Sequence, residues 1–320
     1  MKLIGDDLLP VSTELKAIGH SISFHSGISA VMAKRQSCAR ILMYHGTPSE
    51  SLHALAAQLR YLMCHFKIVP LESVIHWLGR GAEAGSNEIM LTFDDGLRNN
   101  MNVVYPILRE LNAPATFFVC PDLIGNGKWL WNHEARCRLQ TLPEQKLIEL
   151  GHQLQTSAHS VDQTVEWMKT LALPARRQAE DAVRLATPGF NPTDAQRETY
   201  DIMTWEDLCS LDPALITIGS HTLSHPILNL LTADEIDFEL RESRRLLEQK
   251  LGRAVEYFCY PNGSYDARVY EAVKTIYRAA VTTESGAVGR RNNTDPHRLP
   301  RIPSAESAAL TAWRLHRPEA

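Results

Sequence analysis

The sequence predicts an α/β fold built on a parallel sheet, either a closed barrel or an open doubly wound sheet. Short apolar runs alternate with stretches of helical periodicity, and the runs are almost continuously apolar, as in strands covered on both faces. Such alternation implies right-handed parallel crossovers. The predicted strands are Ile41–Tyr44, Ile89–Phe93, Ala115–Val119, Leu215–Gly219, Tyr257–Tyr260 and Ala279–Thr283.

Two of the connections between these strands have clear helical signatures. The connection that follows Asp95 places four apolar residues on one helical face: Val104, Ile107, Leu108 and Leu111. A later connection begins at Thr232, which can form a capping box with Glu235, and ends before Gly252, a residue typical of helix C-termini. Both segments therefore fit crossover helices.

One segment interrupts the alternation. Residues 131–204 are polar and helix-prone, with prolines at positions 174, 188 and 192. We expect a helical insertion between two strands that covers one rim of the sheet.

Composition and charge exclude several classes of protein. The chain has 320 residues, of which 44% are hydrophobic and 22% charged, with a formal net charge of −4. This apolar fraction is too high for a disordered chain. The mixed charge argues against nucleic-acid binding, for which a basic stripe is typical. No apolar stretch approaches the 18 residues that suggest a transmembrane helix, so we expect none.

The N-terminal region differs from the rest of the chain. We expect residues 1–36 to form a helical arm and residues 37–320 to form the main domain. The first ten residues contain the acidic pair Asp6-Asp7 and lack the apolar segment of a secretion signal. The expected location is therefore the cytoplasm, with attachment to a membrane surface as an alternative. Six widely spaced cysteines are expected to be free thiols.

Polar residues gather where the predicted strands end. Asp94 and Asp95 directly follow the second strand, His45 follows the first, and His221 and His225 follow the fourth. The carboxyl ends of parallel strands form one face, and active sites of α/β folds lie there. We therefore expect two carboxylates and three imidazoles to converge, although a His-x-x-x-His spacing alone is close to chance in a chain with 13 histidines.

These residue types are suited to metal-dependent hydrolysis. One carboxylate and two imidazoles make three ligands and leave a fourth position for water, as in catalytic zinc sites. A second carboxylate beside them could accept the proton of that water. Two histidines and one carboxylate also build non-haem iron oxygenase sites. The spare aspartate favours hydrolysis, because an oxygenase needs no base at that place.

Four motifs carry a family resemblance. Leu91–Gly96, Ala115–Val119, Gly219–Pro226 and Tyr260–Gly263 resemble, in order, motifs of the polysaccharide deacetylases of carbohydrate esterase family 4, the NodB homology domain. The resemblance runs from about residue 40 to residue 303. It implies a deformed (β/α)7 barrel that removes N-acetyl or O-acetyl groups from a polysaccharide or its lipid-linked precursor, with residues 37–320 as catalytic domain.

The resemblance also implies roles for individual residues. Asp94 would be the catalytic base, and the backbone N–H of Asn262 or its neighbour would line the oxyanion hole. Asp95, His221 and His225 would hold a divalent metal, with zinc the first expectation and cobalt, nickel or manganese as alternatives. The expected partner is an N-acetylated glycan.

The sequence departs from the family pattern in two places. Cys259 stands where the family usually has an arginine, and Arg301 could reach the same rim and orient Asp94. No late catalytic histidine motif is recognisable. Instead, the run that ends in His45 resembles the first strand of the branch that deacetylates exopolysaccharide, so His45 is expected to be the general acid.

Alternatives remain at this stage. Another amide or imide hydrolase on the same scaffold, or a non-catalytic carbohydrate-binding relative, would fit much of the pattern. Trp129, Trp131 and Trp205 flank the insertion, and their rings could either stack on sugars or pack in the core.

Overall fold

The computed structural model describes residues 13–36, 38–80, 87–289 and 294–317. The strands are β1 (Arg40–Tyr44), β2 (Lys67–Ile68), β3 (Glu88–Phe93), β4 (Ala115–Val119), β5 (Ile216–Ser220), β6 (Tyr257–Cys259), β7 (Ala279–Ser285) and β8 (Leu299–Pro303). The helices are α1 (Thr13–His25), α2 (Ile28–Lys34), α3 (Leu52–His65), α4 (Glu72–Arg80), α5 (Tyr105–Glu110), α6 (Trp131–Leu139), α7 (Glu144–Gln153), α8 (Val161–Met168), α9 (Leu173–Ala186), α10 (Asp194–Tyr200), α11 (Trp205–Ser210), α12 (Ala233–Leu251), α13 (Ala267–Ile276) and α14 (Ala308–His316).

Seven of the strands close into a parallel barrel. Their order is β1-β8-β7-β6-β5-β4-β3, and the pairing of β1 with β3 closes the ring. The short β2 pairs with the start of β3, outside this ring. β3 and β4 are almost wholly buried, as expected for strands packed on both faces. The fold is therefore the deformed (β/α)7 barrel, and the open-sheet alternative is wrong.

The six predicted strands are confirmed to within one or two residues at their ends. β2 and β8 were not predicted as strands, for different reasons. β2 has only two residues, which is too short for a periodic pattern. β8 contains Pro300 and Pro303, and proline lacks the N–H that a central strand uses in its ladder. The capped helix beginning after Thr232 is confirmed as α12, and Gly252 ends it in the left-handed conformation.

The predicted insertion is helical, as expected. Helices α6 to α11 lie between β4 and β5, so the insertion extends slightly beyond residue 204. Its helices share a hydrophobic cluster of their own, to which α6, α8 and α9 contribute Leu139, Val165 and Val183. Insertion helices therefore have an internal support that is partly independent of the barrel core.

The described part of the N-terminal region is also helical. Helices α1 and α2 pack against α14, and the buried guanidinium of Arg40 donates hydrogen bonds to the carbonyls of Ala33 and Leu315. Residues 1–12 of the predicted arm lie outside the described residues. In the described ranges, no helix combines the length and the apolar character needed to cross a bilayer. All six cysteines are free thiols.

Candidate active site

The two adjacent aspartates lie at the end of β3, where the chain turns. The backbone N–H of Asp94 donates to the carbonyl of Tyr44 (3.0 Å), which continues the β1–β3 pairing. Asp95 then takes a positive φ of 74°, and Gly96 a φ of 71°. A Cβ on Gly96 would lie only 3.1 Å from the side chain of Val119. This turn lets two consecutive carboxylates serve different partners.

The Asp94 carboxylate is held by a fork of hydrogen bonds. Arg301 Nη1 donates to Oδ1 (2.8 Å) and Nη2 donates to Oδ2 (2.7 Å). Arg301 is itself fixed, because Nε donates to the carbonyl of Thr282 (2.7 Å) and Nη2 also contacts Cys259 Sγ (3.2 Å). Asp94 and Arg301 are almost wholly buried. The sequence-based conjecture that Arg301 orients Asp94 agrees with this geometry.

Asp95, His221 and His225 form a compact group with metal-ligand chemistry. Asp95 Oδ1 lies 3.6 Å from His221 Nε2 and 3.5 Å from His225 Nε2, and the three donor atoms all lie within 4.8 Å of one another. Ligands about 2.1 Å from a tetrahedral ion stand about 3.4 Å apart. The two Asp95–histidine distances are therefore too long for short hydrogen bonds and close to the spacing of two ligands that share one divalent ion.

The imidazole of His221 has a fixed orientation. Its Nδ1 is hydrogen-bonded to the backbone carbonyl of Cys259 (2.7 Å), which leaves Nε2 directed at Asp95. A histidine ligand commonly donates its second ring N–H in this way, and the bond selects the tautomer that can bind metal.

The loop that carries His225 is held by a buried acid. Glu239 of α12 accepts hydrogen bonds from the backbone N–H groups of Leu223 and Ser224 (both 2.9 Å) and from the Ser224 hydroxyl (2.6 Å). Trp131 Nε1 donates to the carbonyl of His225 (3.1 Å). His225 itself has a positive φ of 59°. Both contacts stabilise a backbone conformation that non-glycine residues rarely adopt.

A second group of possible ligands overlaps the first. Asp94, His221 and Cys259 are also close enough to share an ion. In that group, however, both Asp94 oxygens already accept hydrogen bonds from Arg301, and the same guanidinium contacts Cys259 Sγ. A cation beside a buried guanidinium would be repelled. The Asp95 group therefore fits a metal better.

Burial and neighbouring charges shift the pKa values of Asp94, Asp95 and His225. Burial raises the pKa of Asp94, but the charge and hydrogen bonds of Arg301 outweigh burial, so the pKa is lowered overall. Burial likewise raises the pKa of Asp95, and the two histidines lower it more strongly. For His225, burial and the charge of His221 lower the pKa to about 3. Its imidazole is thus neutral near pH 7, the form that binds metal.

His45 lies at the end of β1, on the solvent side of Asp94. Its Nε2 is 3.9 Å from Asp94 Oδ2, and its side chain is 53% exposed. It lines a cavity of about 560 Å³ together with Ser304 and Arg314. Of the site histidines, it is therefore the one that an incoming substrate can reach most easily.

Asn262 lies in the turn that follows β6, at the same end of the barrel. The turn Pro261–Gly263 is a short 3-10 helix in which Asn262 has a φ of 53°. A Cβ on Gly263 would lie 1.8 Å from Thr283 Oγ1, so only glycine fits there. The structure places Asn262 at the rim, and its contact with substrate stays a prediction.

Sequence reasoning missed two residues near this site. His133, on α6, has a buried Nδ1 with no hydrogen-bond partner in the part of the chain that the structure describes, and its ring packs against Tyr200 at 4.7 Å. Burial lowers the pKa of His133 more than the charge of Asp95 raises it, so the pKa is lowered overall. Glu239 was also missed. Both residues lie within helices, so the rule that follows strand ends could not find them.

The three tryptophans have largely structural surroundings. Trp131 is buried, and the guanidinium of Arg176 covers one face of its ring at 4.6 Å. Trp129 Nε1 donates to Asp201 (2.8 Å). Trp205 packs against the main hydrophobic core. These contacts favour packing over sugar stacking.

The fold and the site together define a barrel hydrolase of the NodB type, and comparison with known proteins identifies the family. The model of the polysaccharide deacetylase family matches residues 81–280, more than half of the chain. The chain therefore belongs to the polysaccharide deacetylase family and is an enzyme of the carbohydrate esterase family 4 type. The alternative of a non-catalytic binding relative is not retained.

One curated relative and several solved structures are similar to this chain, the structures in their fold. YxkH of Bacillus subtilis (strain 168), named as a polysaccharide deacetylase, is 23% identical over 284 residues, which cover 85% of this chain and 75% of the relative. IcaB from Ammonifex degensii has a similar fold, with a TM-score of 0.58 at 17% identity over 87% of this chain and 97% of its own. The Streptococcus pyogenes deacetylase PplD, solved with acetate, has a TM-score of 0.55 at 18% identity over 88% and 98%.

Proposed function

We propose that this polysaccharide deacetylase is metal-dependent and removes N-acetyl groups from an amino-sugar polysaccharide or its lipid-linked precursor. The observation that carries the proposal is the pairing of two differently held aspartates. Asp95 faces two imidazole nitrogens at 3.5 and 3.6 Å, while Asp94 beside it is fixed by Arg301. This difference supports a role for Asp95 as a ligand of the ion and for Asp94 as a carboxylate that does not bind it.

Asp95, His221 and His225 would hold the ion, with zinc the first expectation from this donor set. When bound, a divalent cation supplies Lewis acidity, which polarises a carbonyl oxygen and lowers the pKa of water. Three protein ligands leave room for substrate, as catalytic sites require.

Asp94 would act as the general base. Arg301 keeps its carboxylate ionised. Oδ1 retains a lone pair beyond the one that accepts from the guanidinium, whereas Oδ2 also accepts a hydrogen bond from Cys259 Sγ (3.5 Å). Asp94 can therefore accept a proton from the attacking water. The buried fork also fixes the direction in which the carboxylate points, and orientation is a large part of catalysis.

His45 would act as the general acid. Its Nε2 lies 3.9 Å from Asp94 Oδ2 and the ring borders an open cavity, so a leaving amine in the cavity could contact both the imidazole and the base. Donation of a proton from His45 would let the amine depart as acetate forms. The backbone N–H of Asn262 or its neighbour would donate to the developing oxyanion.

The test is acetate release from an N-acetylglucosamine oligomer. In Asp94→Asn we expect the rate to fall about 10³-fold, because the amide cannot accept the proton. The exposed Asp234→Asn variant on α12 serves as control and should retain full activity. Substantial acetate release by Asp94→Asn would disprove the assigned base. Comparison with O-acetylated glycans and non-sugar amides separates N-deacetylation from the alternatives.

A further inference from the structure

A second cavity lies between the insertion and the loop that carries His225. Its volume is about 640 Å³, within the range typical of ligand sites. Helices α6, α9 and α10 contribute to its walls, and Ser224 contributes from the barrel side. None of the residues discussed above as base, acid or metal ligand lines it.

This cavity is joined to the active site by two residues. Ser224 directly precedes His225 in the chain, and its hydroxyl is held by Glu239. Trp131 lines the cavity and also donates through Nε1 to the carbonyl of His225. A ligand in the cavity would therefore touch the same loop that places His225 toward Asp95.

The cavity has an excess of positive charge. Six cationic and four acidic side chains line it. Every one of the four acids already has a cationic neighbour. Arg138 and Arg184 pair with Glu134, Arg176 and Arg184 pair with Glu180, Arg184 pairs with Asp181, and Lys128 lies near Asp122. The acids of the wall are thus neutralised from within.

Two of the cations remain available. Arg177 and Arg197 are exposed lining residues, and neither has a carboxylate within 4.0 Å among the residues that the structure describes. Within the described ranges, the guanidinium of Arg197 donates a hydrogen bond only to the amide oxygen of Asn191 (3.2 Å). A guanidinium presents a planar fork that matches carboxylate and phosphate oxygens. These two side chains can therefore receive an anionic ligand at low cost.

The aromatic residues of the cavity do not offer a bare stacking platform. Arg176 covers a face of Trp131 and Arg138 covers a face of Phe190, both at 4.6 Å, and the third aromatic residue, Trp129, is buried. Recognition in this cavity would consequently depend on charge and hydrogen bonding more than on stacking of a neutral sugar.

We propose that this cavity is a subsite for a negatively charged sugar residue of the glycan, close in the chain to the residue that is deacetylated. The shared chemistry is an anionic group, either a carboxylate of a uronic acid or a phosphate substituent. The proposal rests on the proposed function, because it assumes that the glycan extends from the active site along the insertion.

The test measures binding to the full-length protein treated with chelator, so that hydrolysis does not interfere. Three oligosaccharides of equal length serve as probes: a neutral N-acetylglucosamine oligomer, one in which N-acetylglucosamine alternates with glucuronic acid, and one carrying 6-phosphate groups. We expect about tenfold tighter binding of at least one anionic probe at low salt, and loss of this preference at about 0.5 M salt. The probe that binds better tells carboxylate from phosphate.

The double variant Arg177→Gln/Arg197→Gln should bind all three probes about equally. Arg60→Gln on α3 is the matched control, since Arg60 is also exposed and has no ion pair among the described residues. Equal affinity of the wild-type protein for all probes would overturn the proposal, and so would a preference that survives in the double variant. Acetate release is measured separately with the metal-loaded protein. No acetate release from any of the three probes would contradict the proposed function, whereas the binding measurements would still test the anionic subsite.

Discussion

Arg301 and Asp94 form a two-pronged ion pair across 207 residues of sequence, with N–O distances of 2.8 and 2.7 Å. The guanidinium belongs to Arg301 on β8, whereas the resemblance to the family predicts an arginine at position 259 on β6. Cys259 occupies that position and lies 3.2 Å from Arg301 Nη2. The same carboxylate is thus held by a cation from a different strand.

This pair should matter for both stability and rate. Because both side chains are buried, Arg301→Met leaves a buried carboxylate without its cationic partner and should lower the free energy of unfolding by about 3–5 kcal/mol. Urea denaturation measures this effect. Arg241→Met on α12 removes an exposed ion pair and should unfold like the wild type.

Arg301→Lys keeps the charge and loses the fork. We expect kcat to fall about 10- to 100-fold with a smaller change in KM, because the base is less well oriented. Wild-type kinetics in this variant would show that Asp94 needs only a nearby positive charge.

The role of His45 can be tested through the leaving group. His45→Gln should lower the rate on an N-acetyl amide about 100-fold, since the amine departs only when protonated. On 4-nitrophenyl acetate, whose leaving group needs no proton, we expect a change below about threefold. Equal losses on both substrates would indicate that His45 positions substrate rather than donating a proton.

The variant Gly263→Ala tests whether the turn that contains Asn262 contributes to catalysis. Gly263→Ala places a Cβ 1.8 Å from Thr283 Oγ1, so the turn must shift and acetate release should fall at least tenfold. Gly252→Ala is a matched control, because Gly252 has a φ of 65° close to the 66° of Gly263 but nothing within 4 Å of the added Cβ. That variant should lose about 1 kcal/mol of stability and keep its activity. If Gly263→Ala behaves like Gly252→Ala, the turn has no catalytic role.

His316 should contribute to the pH dependence of stability. It is buried in α14, and burial lowers its pKa. A lowered folded-state pKa means that the contribution of His316 to stability is present above about pH 6.5 and is lost as the pH falls toward the folded value. His316→Gln should therefore show a flatter decline in unfolding free energy between pH 7.5 and pH 5 than the wild type. Parallel curves would contradict this assignment.

The parallel α/β architecture and much of the site follow from strand patterns, whereas the choice of a closed barrel over an open sheet came from the family resemblance. Asp94, Asp95, His45 and the two other histidines follow apolar strands, and parallel strand ends meet at one rim, so their convergence could be predicted. The strand β8 could not be predicted, because its two prolines are atypical of a central strand. The fixing of Asp94 by Arg301 was accordingly only a conjecture from sequence, even though the two side chains are in direct contact.

The contacts that helices make with the site could not be predicted from the sequence. Glu239 and His133 come to the site through the packing of α12 and α6 on the barrel, and no local spacing records that packing. The charged cavity likewise depends on how α6, α9 and α10 are arranged relative to one another. Such arrangements are set by tertiary packing rather than by periodicity.

The division of roles between the two aspartates is tested most directly by the metal content of three purified proteins, measured by elemental analysis after loading with zinc and removal of excess ion. We expect about one equivalent in the wild type and in Asp94→Asn, and a loss of most of it in Asp95→Asn, because Asp95 rather than Asp94 faces both imidazoles. Retention of the ion by Asp95→Asn together with its loss from Asp94→Asn would contradict the division of roles between the two aspartates.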